Sequence, residues 1–492
     1  MYFIGIDLGT SSVKLLMMDE NGKTVNIVSR DYPLYFPKPG WSEQDPRDWY
    51  RETITGLKEL TEGFNKDEVR GISFGGQMHG LVVLDENDEV IRNAILWNDG
   101  RTTKECDYLN NVIGKDKLSE YTANIAFAGF TAPKILWMKE NEPELFAKIK
   151  KIMLPKDYLA YKLTGVFATD VSDASGMLLF DVKNRTWSEE MINICGIKRE
   201  MLADIYESYD KIGCLKPEIA AEVGFKPETV VAAGAGDNAA AAVGTGTVGD
   251  NRCNISLGTS GTIFISSKNF SVDSFNSLHS FAHADGYYHL MGCMLSAASC
   301  QKWWLEEIMK TDNYRGEQES IDNEKLGDNH VFFLPYLMGE RSPINDPLAR
   351  ATFTGMTMDT TRSDMFQAVM EGVTFALRDS FEVAKKLGID IKKTKVCGGG
   401  ARSAVWKRML ANILNVEVEI VETEQGPSYG GAILAAVACG VFKDVVEAAD
   451  KLVKIVDVVE PEKELVAKYE KRYNEFRQIY PALKNFFADL AK

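Results

Sequence analysis

Short apolar runs broken by glycine-rich turns alternate with longer amphipathic stretches along most of the chain. At the start, Phe3-Ile4-Gly5-Ile6 and Val13-Lys14-Leu15-Leu16 flank the turn Asp7-Leu8-Gly9-Thr10-Ser11-Ser12, and a further alternating run from Thr24 to Val28 follows Asn21-Gly22. Asn-Gly between alternating runs favours the tight turn of paired strands, so this region predicts a hairpin meander. The layout returns at Asn254-Ile255-Ser256-Leu257-Gly258-Thr259-Ser260-Gly261-Thr262-Ile263-Phe264-Ile265, with Leu-Gly-Thr-Ser common to both copies. Ser256 stands where the first copy has Asp7, so only the first strand ends on a carboxylate. Two matching turns predict two halves that share one ligand.

Strand-like and helix-like segments alternate between these landmarks, which predicts α/β layers. Asp45-Pro46 reads as a helix start, with Asp45 as cap and Pro46 in the first turn. Residues 229–233 read as a strand that enters the turn Gly234-Ala235-Gly236-Asp237-Asn238 and then an Ala-rich helix. Lys395-Val396-Cys397 enters Gly398-Gly399-Gly400 and a helix through Trp406 and Met409. In the tail, Leu465, Tyr469, Tyr473 and Phe476 recur three or four apart and predict an amphipathic helix within residues 462–480. Gly244-Thr245-Gly246-Thr247-Val248-Gly249 matches G-x-G-x-x-G, yet it follows an Ala-rich run and opens no helix, so it reads as a crossover between residues 1–248 and 249–492 rather than a dinucleotide fingerprint.

A length of 492 residues exceeds one ordinary domain. No apolar stretch reaches the roughly 18 residues of a membrane helix, and no basic region precedes an apolar segment at the N-terminus, so a cytoplasmic protein is expected. The eight cysteines form no C-x-x-C pair, which suits free thiols in a reducing compartment. A formal net charge of −15 argues against nonspecific binding of nucleic acid or anionic membrane.

Candidate chemistry gathers at the turns. Glycine allows close backbone approach while amides and hydroxyls of Thr10, Ser11, Gly258 and Thr259 converge on phosphate, with Lys14 as a nearby charge. Asp237 suits a reacting hydroxyl, and it is also placed to cap the Ala-rich helix. Gln77-Met78-His79-Gly80 and Trp97-Asn98-Asp99 end two further strands. A Trp face against sugar C–H groups, with Gln, His, Asn and Asp on the hydroxyls, would hold a neutral polyol. His79 and Trp97 each have an alternative as core residues.

These blocks, with Leu154-Pro155-Lys156-Asp157-Tyr158, Gly339-Glu340-Arg341-Ser342-Pro343 and Gly398-Gly399-Gly400-Ala401-Arg402-Ser403, resemble the motif series of the FGGY carbohydrate kinases from residue 2 to about residue 440. Ser12 and Ala235 depart from glycines frequent in that series. The resemblance implies the actin, hexokinase and heat-shock-chaperone architecture, two ribonuclease-H-like α/β domains flanking a catalytic cleft. It implies sugar on residues 1–248, near Gln77, Met78, His79, Trp97, Asn98, Asp99, Asp237 and Asn238. It implies ATP on residues 249–492, with Gly258 and Thr259 near phosphates and Gly399, Gly400, Ala401 and Ser403 near adenosine. Asp237 is then the general base, Asp7 the carboxylate that orients Mg²⁺, D-xylulose the expected acceptor and a homodimer the expected assembly. Ribulose, gluconate or glycerol as acceptor, an actin-like ATPase without an acceptor and a sugar-binding regulator that has lost catalysis are the competing readings.

Overall fold

The computed structural model describes residues 1–423 and 425–490. In the first half, β1 (Tyr2–Leu8), β2 (Ser12–Asp19) and β3 (Thr24–Asp31) form an antiparallel meander, with Gly22 at φ 83° in the predicted Asn-Gly turn. A positive φ there is the reason for glycine. β4 (Val69–Gly76) adds parallel to β1, and β5 (Lys211–Cys214) and β6 (Val230–Ala232) extend the sheet to the order β5-β6-β4-β1-β2-β3. The short β7 (Ala235–Gly236) also pairs with β4, and it delivers the chain into helix α1 (Asp237–Gly244).

The second half repeats this plan. β8 (Arg252–Leu257), β9 (Gly261–Ser267) and β11 (Tyr288–Met294) form the meander, preceded at the edge by β10 (His279–Ala282). β12 (Lys393–Cys397) lies parallel to β8, and β13 (Glu417–Val421) and β14 (Ile455–Val459) complete the order β10-β11-β9-β8-β12-β13-β14. The predicted tail helix is Lys463–Phe476, and the four apolar residues at helical spacing are buried together with Arg472. The predicted start at Asp45 is also present: its carboxylate accepts from Arg47 N at 3.0 Å, at the head of the helix Pro46–Leu60.

The halves do not simply abut. Helix α2 (Gly426–Ala438), from the second half, packs on β1 and β4 of the first sheet and crosses α1. Glycines make this possible. An added Cβ at Gly5 would meet Ser428 O at 1.8 Å, one at Gly244 would meet Gly426 O at 2.1 Å, and one at Gly430 would meet Ala240 O at 1.8 Å. Phe3, Leu16, Ala239, Val243, Ile433 and Leu434 then form one core that belongs to neither half alone. The crossover after α1 is fastened from the second half, where His283 Nε2 lies 2.9 Å from Thr247 O and Asp285 Oδ2 accepts from Gly249 N at 2.7 Å. Among the described residues no helix is long and apolar enough to cross a membrane.

Because the atoms facing Gly430 are backbone, they have little freedom to withdraw. Gly430→Ala is therefore expected to destabilise the protein by about 3 kcal/mol, at the upper end of overpacking costs. A lowered urea midpoint would show it; an unchanged midpoint would mean that α1 and α2 can separate without loss.

Candidate active site

The end of the first meander strand and the N-terminus of α1 come together, close enough for the charge of Asp237 to act on Asp7. In the first turn Gly9 N donates to Ser12 O at 3.0 Å, and Tyr32 OH donates to Gly9 O. Thr10 is held twice: its carbonyl accepts from Gln44 Nε2 at 2.6 Å, and its Oγ1 accepts from Trp97 Nε1 at 2.9 Å. Trp97 remains 46% exposed, so its ring is an open face and not core. Ser11 and Asn98 are exposed beside it.

Asp7 ends β1, directly across from Lys14 on β2. Its carboxyl is pushed up to about 7, first by burial and then by the charge of Asp237, with Lys14 opposing. Asp237 opens α1, but Gly236 occupies the N-cap position, so Asp237 is not the cap residue. Its Oδ1 accepts from Asn238 N at 2.7 Å and Asn238 Nδ2 at 2.9 Å, while Oδ2 receives no hydrogen bond among the described residues. Burial pushes this carboxyl up to about 6, and the two Asn238 bonds pull the other way. An acid pair of this kind, each desolvated and one raised by the other's charge, is an arrangement typical of functional clefts.

Around Asp237, Met78 packs under Gly236, and its sulfur accepts from Asn238 Nδ2 at 3.9 Å. His79 is part-buried with its Nδ1 2.8 Å from Gly176 O. Burial, then the charge of Lys134, pulls its imidazole down to about 3, so it is neutral. Gln77 is buried, donates from Nε2 to Gln44 Oε1 at 3.0 Å, and leaves its own Oε1 without a protein partner. Asp99 is placed differently from the other sugar-side residues. It is 2% exposed, and its carboxylate accepts from Ser42 N at 2.6 Å, Arg101 N at 2.9 Å, Arg101 Nε at 2.8 Å and Arg101 Nη2 at 2.7 Å. Those four donors already occupy it, so its observed work is to shape the turn that presents Trp97.

Across the cleft, a cavity of about 1090 Å³ is lined by Gly258, Thr259, Gly399, Gly400 and Ser403, with Lys302, Tyr314, Arg315 and Arg402 on its walls. Gly258 O and Thr259 O accept from Ala298 N at 2.9 Å and Ala297 N at 3.0 Å, which fixes the turn. Gly398 takes φ 88° where β12 meets the 3₁₀ turn, and a Cβ at Gly399 would meet nothing within 4 Å. Ser403 also caps the helix Ala404–Leu414 by accepting from Trp406 N at 3.3 Å. Ala401 is not in the lining and packs against the core. The volume and the glycine-rich floor suit a nucleotide.

Three groups near the site escaped the sequence reading. Lys156 is fully buried and pairs with Asp157 at 2.6 Å and Asp170 at 2.8 Å, with Asp173 at 3.8 Å. Asp170 Oδ2 accepts from Ser172 Oγ at 2.5 Å, and that same hydroxyl oxygen accepts from Gly236 N at 3.1 Å, so the cluster supports the residue before Asp237. Burial holds the Asp173 carboxyl well above its usual range against the pull of Lys156. Arg341 lays its guanidinium 4.7 Å from the Phe127 ring centroid, joining the second half to a loop beside His79. Lys134 is buried beneath His79. The blocks containing Lys156 and Arg341 were visible as motifs, but nothing in them identified a role.

With this geometry in view, comparison with known proteins is decisive. The family model described as FGGY family of carbohydrate kinases, N-terminal domain, matches residues 2–244, and its C-terminal counterpart matches residues 253–439. The chain belongs to the FGGY family of carbohydrate kinases. It is 38% identical to a xylulose kinase of Bacillus subtilis (strain 168) over 98% of this chain and 97% of that protein. It is 39% identical to a xylulose kinase of Escherichia coli (strain K12) over 98% of this chain and 99% of that protein. Among solved structures, a xyloylose kinase from Brucella ovis superposes with a TM-score of 0.94 at 36% identity, covering 99% of this chain and 100% of that one. A gluconate kinase from Lactobacillus acidophilus gives a TM-score of 0.94 at 28% identity, covering 99% of each chain. The two-domain fold of this FGGY kinase is that of sugar kinases and actin-like ATPases.

Lys14 is the only cation that offsets the charge on Asp7 among the causes of its shift. Lys14→Met is therefore expected to move the Asp7 carboxyl above about 7, read by ¹³C NMR titration. A downward movement would mean that Lys14 does not face Asp7.

Proposed function

We propose that this FGGY kinase is an ATP-dependent xylulose kinase, transferring the γ-phosphoryl group of ATP to the terminal O5 hydroxyl of D-xylulose in the cytoplasm. Residues 1–248 hold the sugar and residues 249–492 the nucleotide. What supports this reading is the part-exposed Asp237 beside Met78 and Asn238, together with the glycine-floored cavity of the second half. Near full-length similarity to the two xylulose kinases supports the ketopentose over other polyols.

A sugar hydroxyl is a weak nucleophile at neutral pH. Asp237, raised to about 6, accepts the O5 proton as O5 attacks the γ-phosphorus; the O5–P bond forms, the bond to the β-phosphate bridging oxygen breaks, and ADP leaves. Trp97 stacks on the sugar's C–H face and His79 orients a hydroxyl. Amides of the Gly9 and Gly258 turns position phosphate oxygens. Asp7 fits a divalent cation, because burial and Asp237 together raise its carboxyl and a positive charge would relieve both. Among the described residues no cluster of three or more His, Cys, Asp or Glu is placed to hold a metal; Mg²⁺ commonly takes few protein carboxylates and keeps water and phosphate ligands. Mg²⁺ bound through Asp7 would supply charge neutralisation on the phosphates.

Two outcomes are expected. Asp237→Asn should lower kcat by about 10²-fold or more while KM for the sugar changes little; near-normal turnover would remove Asp237 from the chemistry. Because the base works deprotonated, kcat/KM should fall as pH drops through about 6, and Asp237→Asn should remove this part of the acid limb. The functional reading itself is tested by initial ADP release with Mg-ATP against D-xylulose, D-ribulose, L-ribulose, gluconate, glycerol and no sugar. A rise specific to D-xylulose supports it, and a rise with another polyol alone replaces the acceptor.

A further inference from the structure

A lysine with no exposed surface calls for an account, since lysine is rarely buried without a carboxylate partner. Lys134, on the helix Thr131–Asn141, is 0% exposed and forms no ion pair among the described residues. Its Nζ donates instead to two backbone oxygens, His79 O at 2.8 Å and Gly129 O at 2.7 Å. Thr131 Oγ1, one turn earlier on the same helix, also donates to His79 O at 3.0 Å. One carbonyl thus receives two side-chain donors.

The residue so held is unusual in its backbone. His79 lies at φ 69°, in the left-handed region that disfavours a residue bearing a side chain. The ring is constrained as well. It lies 4.7 Å from the Phe130 ring and against Gly176, where an added Cβ would meet His79 Cε1 at 2.3 Å. A carbonyl only accepts, so the 2.8 Å contact with Gly176 O puts the proton on Nδ1 and leaves Nε2 as a bare lone pair. Nε2 makes no hydrogen bond among the described residues. Whether Lys134 is charged or neutral, it keeps at least two N–H groups for its two carbonyls.

We propose that Lys134 is a positioning residue that holds the strained His79 backbone so that Nε2 serves as a fixed acceptor for one hydroxyl of the sugar. Lys134 itself need not touch substrate. This deepens the sugar-kinase reading and rests on it for the identity of the hydroxyl donor. An acceptor at this position rewards a donating O–H and rejects an analogue that lacks it, because a dry lone pair would be left unpaired.

The test begins with the whole protein carrying ¹⁵N-labelled histidine, the His79 signals being assigned by their loss in His79→Gln. Without sugar, Nδ1 is expected to carry the proton and Nε2 none; D-xylulose should then shift the Nε2 resonance as a hydrogen bond forms. Lys134→Met should raise KM for D-xylulose about 10- to 100-fold, the range of a lost charge-assisted bond, with a smaller change in kcat. Thr131→Val removes one donor to the same carbonyl without burying an orphan charge, and should raise KM in the same direction by less, even if Lys134→Met fails to fold. A proton on Nε2, or unaltered KM in both folded variants, overturns the proposal. If the unaltered protein phosphorylates no ketopentose, the functional reading falls, while the sugar-free tautomer still decides the His79 assignment.

Discussion

The contact on which everything else rests is backbone against backbone. α2 leaves the second half and lies so close to β1 and α1 that Gly5, Gly244 and Gly430 have no room for a methyl group. Packed interiors do not deform continuously, so this contact fixes the position of α2 against the inner strands β1 and β4 of the first sheet. Asp7 lies near the end of β1 and Asp237 opens α1, the two elements on which α2 packs. The two acids meet because the helices beneath them cannot part.

That closeness has an electrostatic cost, and the site shows how it is distributed. Asp7 and Asp237 are both held above their ordinary range by burial, and Asp7 also by its neighbour. Behind them Lys156 pairs with Asp157 and Asp170, while burial raises the Asp173 carboxyl well above its usual range. Among the described residues neither Asp7 nor Asp237 has an ion pair of this kind. Such asymmetry is what separates a reacting carboxylate from one that merely supports the fold.

Much of the fold was legible because it is written in local patterns. The Asn21-Gly22 turn, the repeated Leu-Gly-Thr-Ser and the three-and-four spacing of Leu465, Tyr469, Tyr473 and Phe476 each depend on neighbours in sequence. Asp237 was legible as a site residue, but its alternative as a helix cap needed the backbone at Gly236 to be excluded. Asp99 looked free for a sugar because Ser42, its donor 57 residues away, can be matched to it only in three dimensions. Lys134 and Lys156 were illegible for a related reason: a lysine in a sequence reads as surface, and only burial against carbonyls or carboxylates reveals otherwise. Ala401, which the glycine-rich block suggested as a lining residue, is partly buried against the core, a contact visible only in three dimensions.

The bond from Trp97 Nε1 to Thr10 Oγ1 has a directional meaning. A hydroxyl has one proton and two lone pairs, and its rotor ordinarily settles wherever the solvent prefers. With an indole N–H claiming one lone pair, the Thr10 proton swings away from the ring and becomes a donor to whatever anion reaches the turn. The polarity of the Thr10 hydroxyl is thus set by an aromatic ring 87 residues further along the chain.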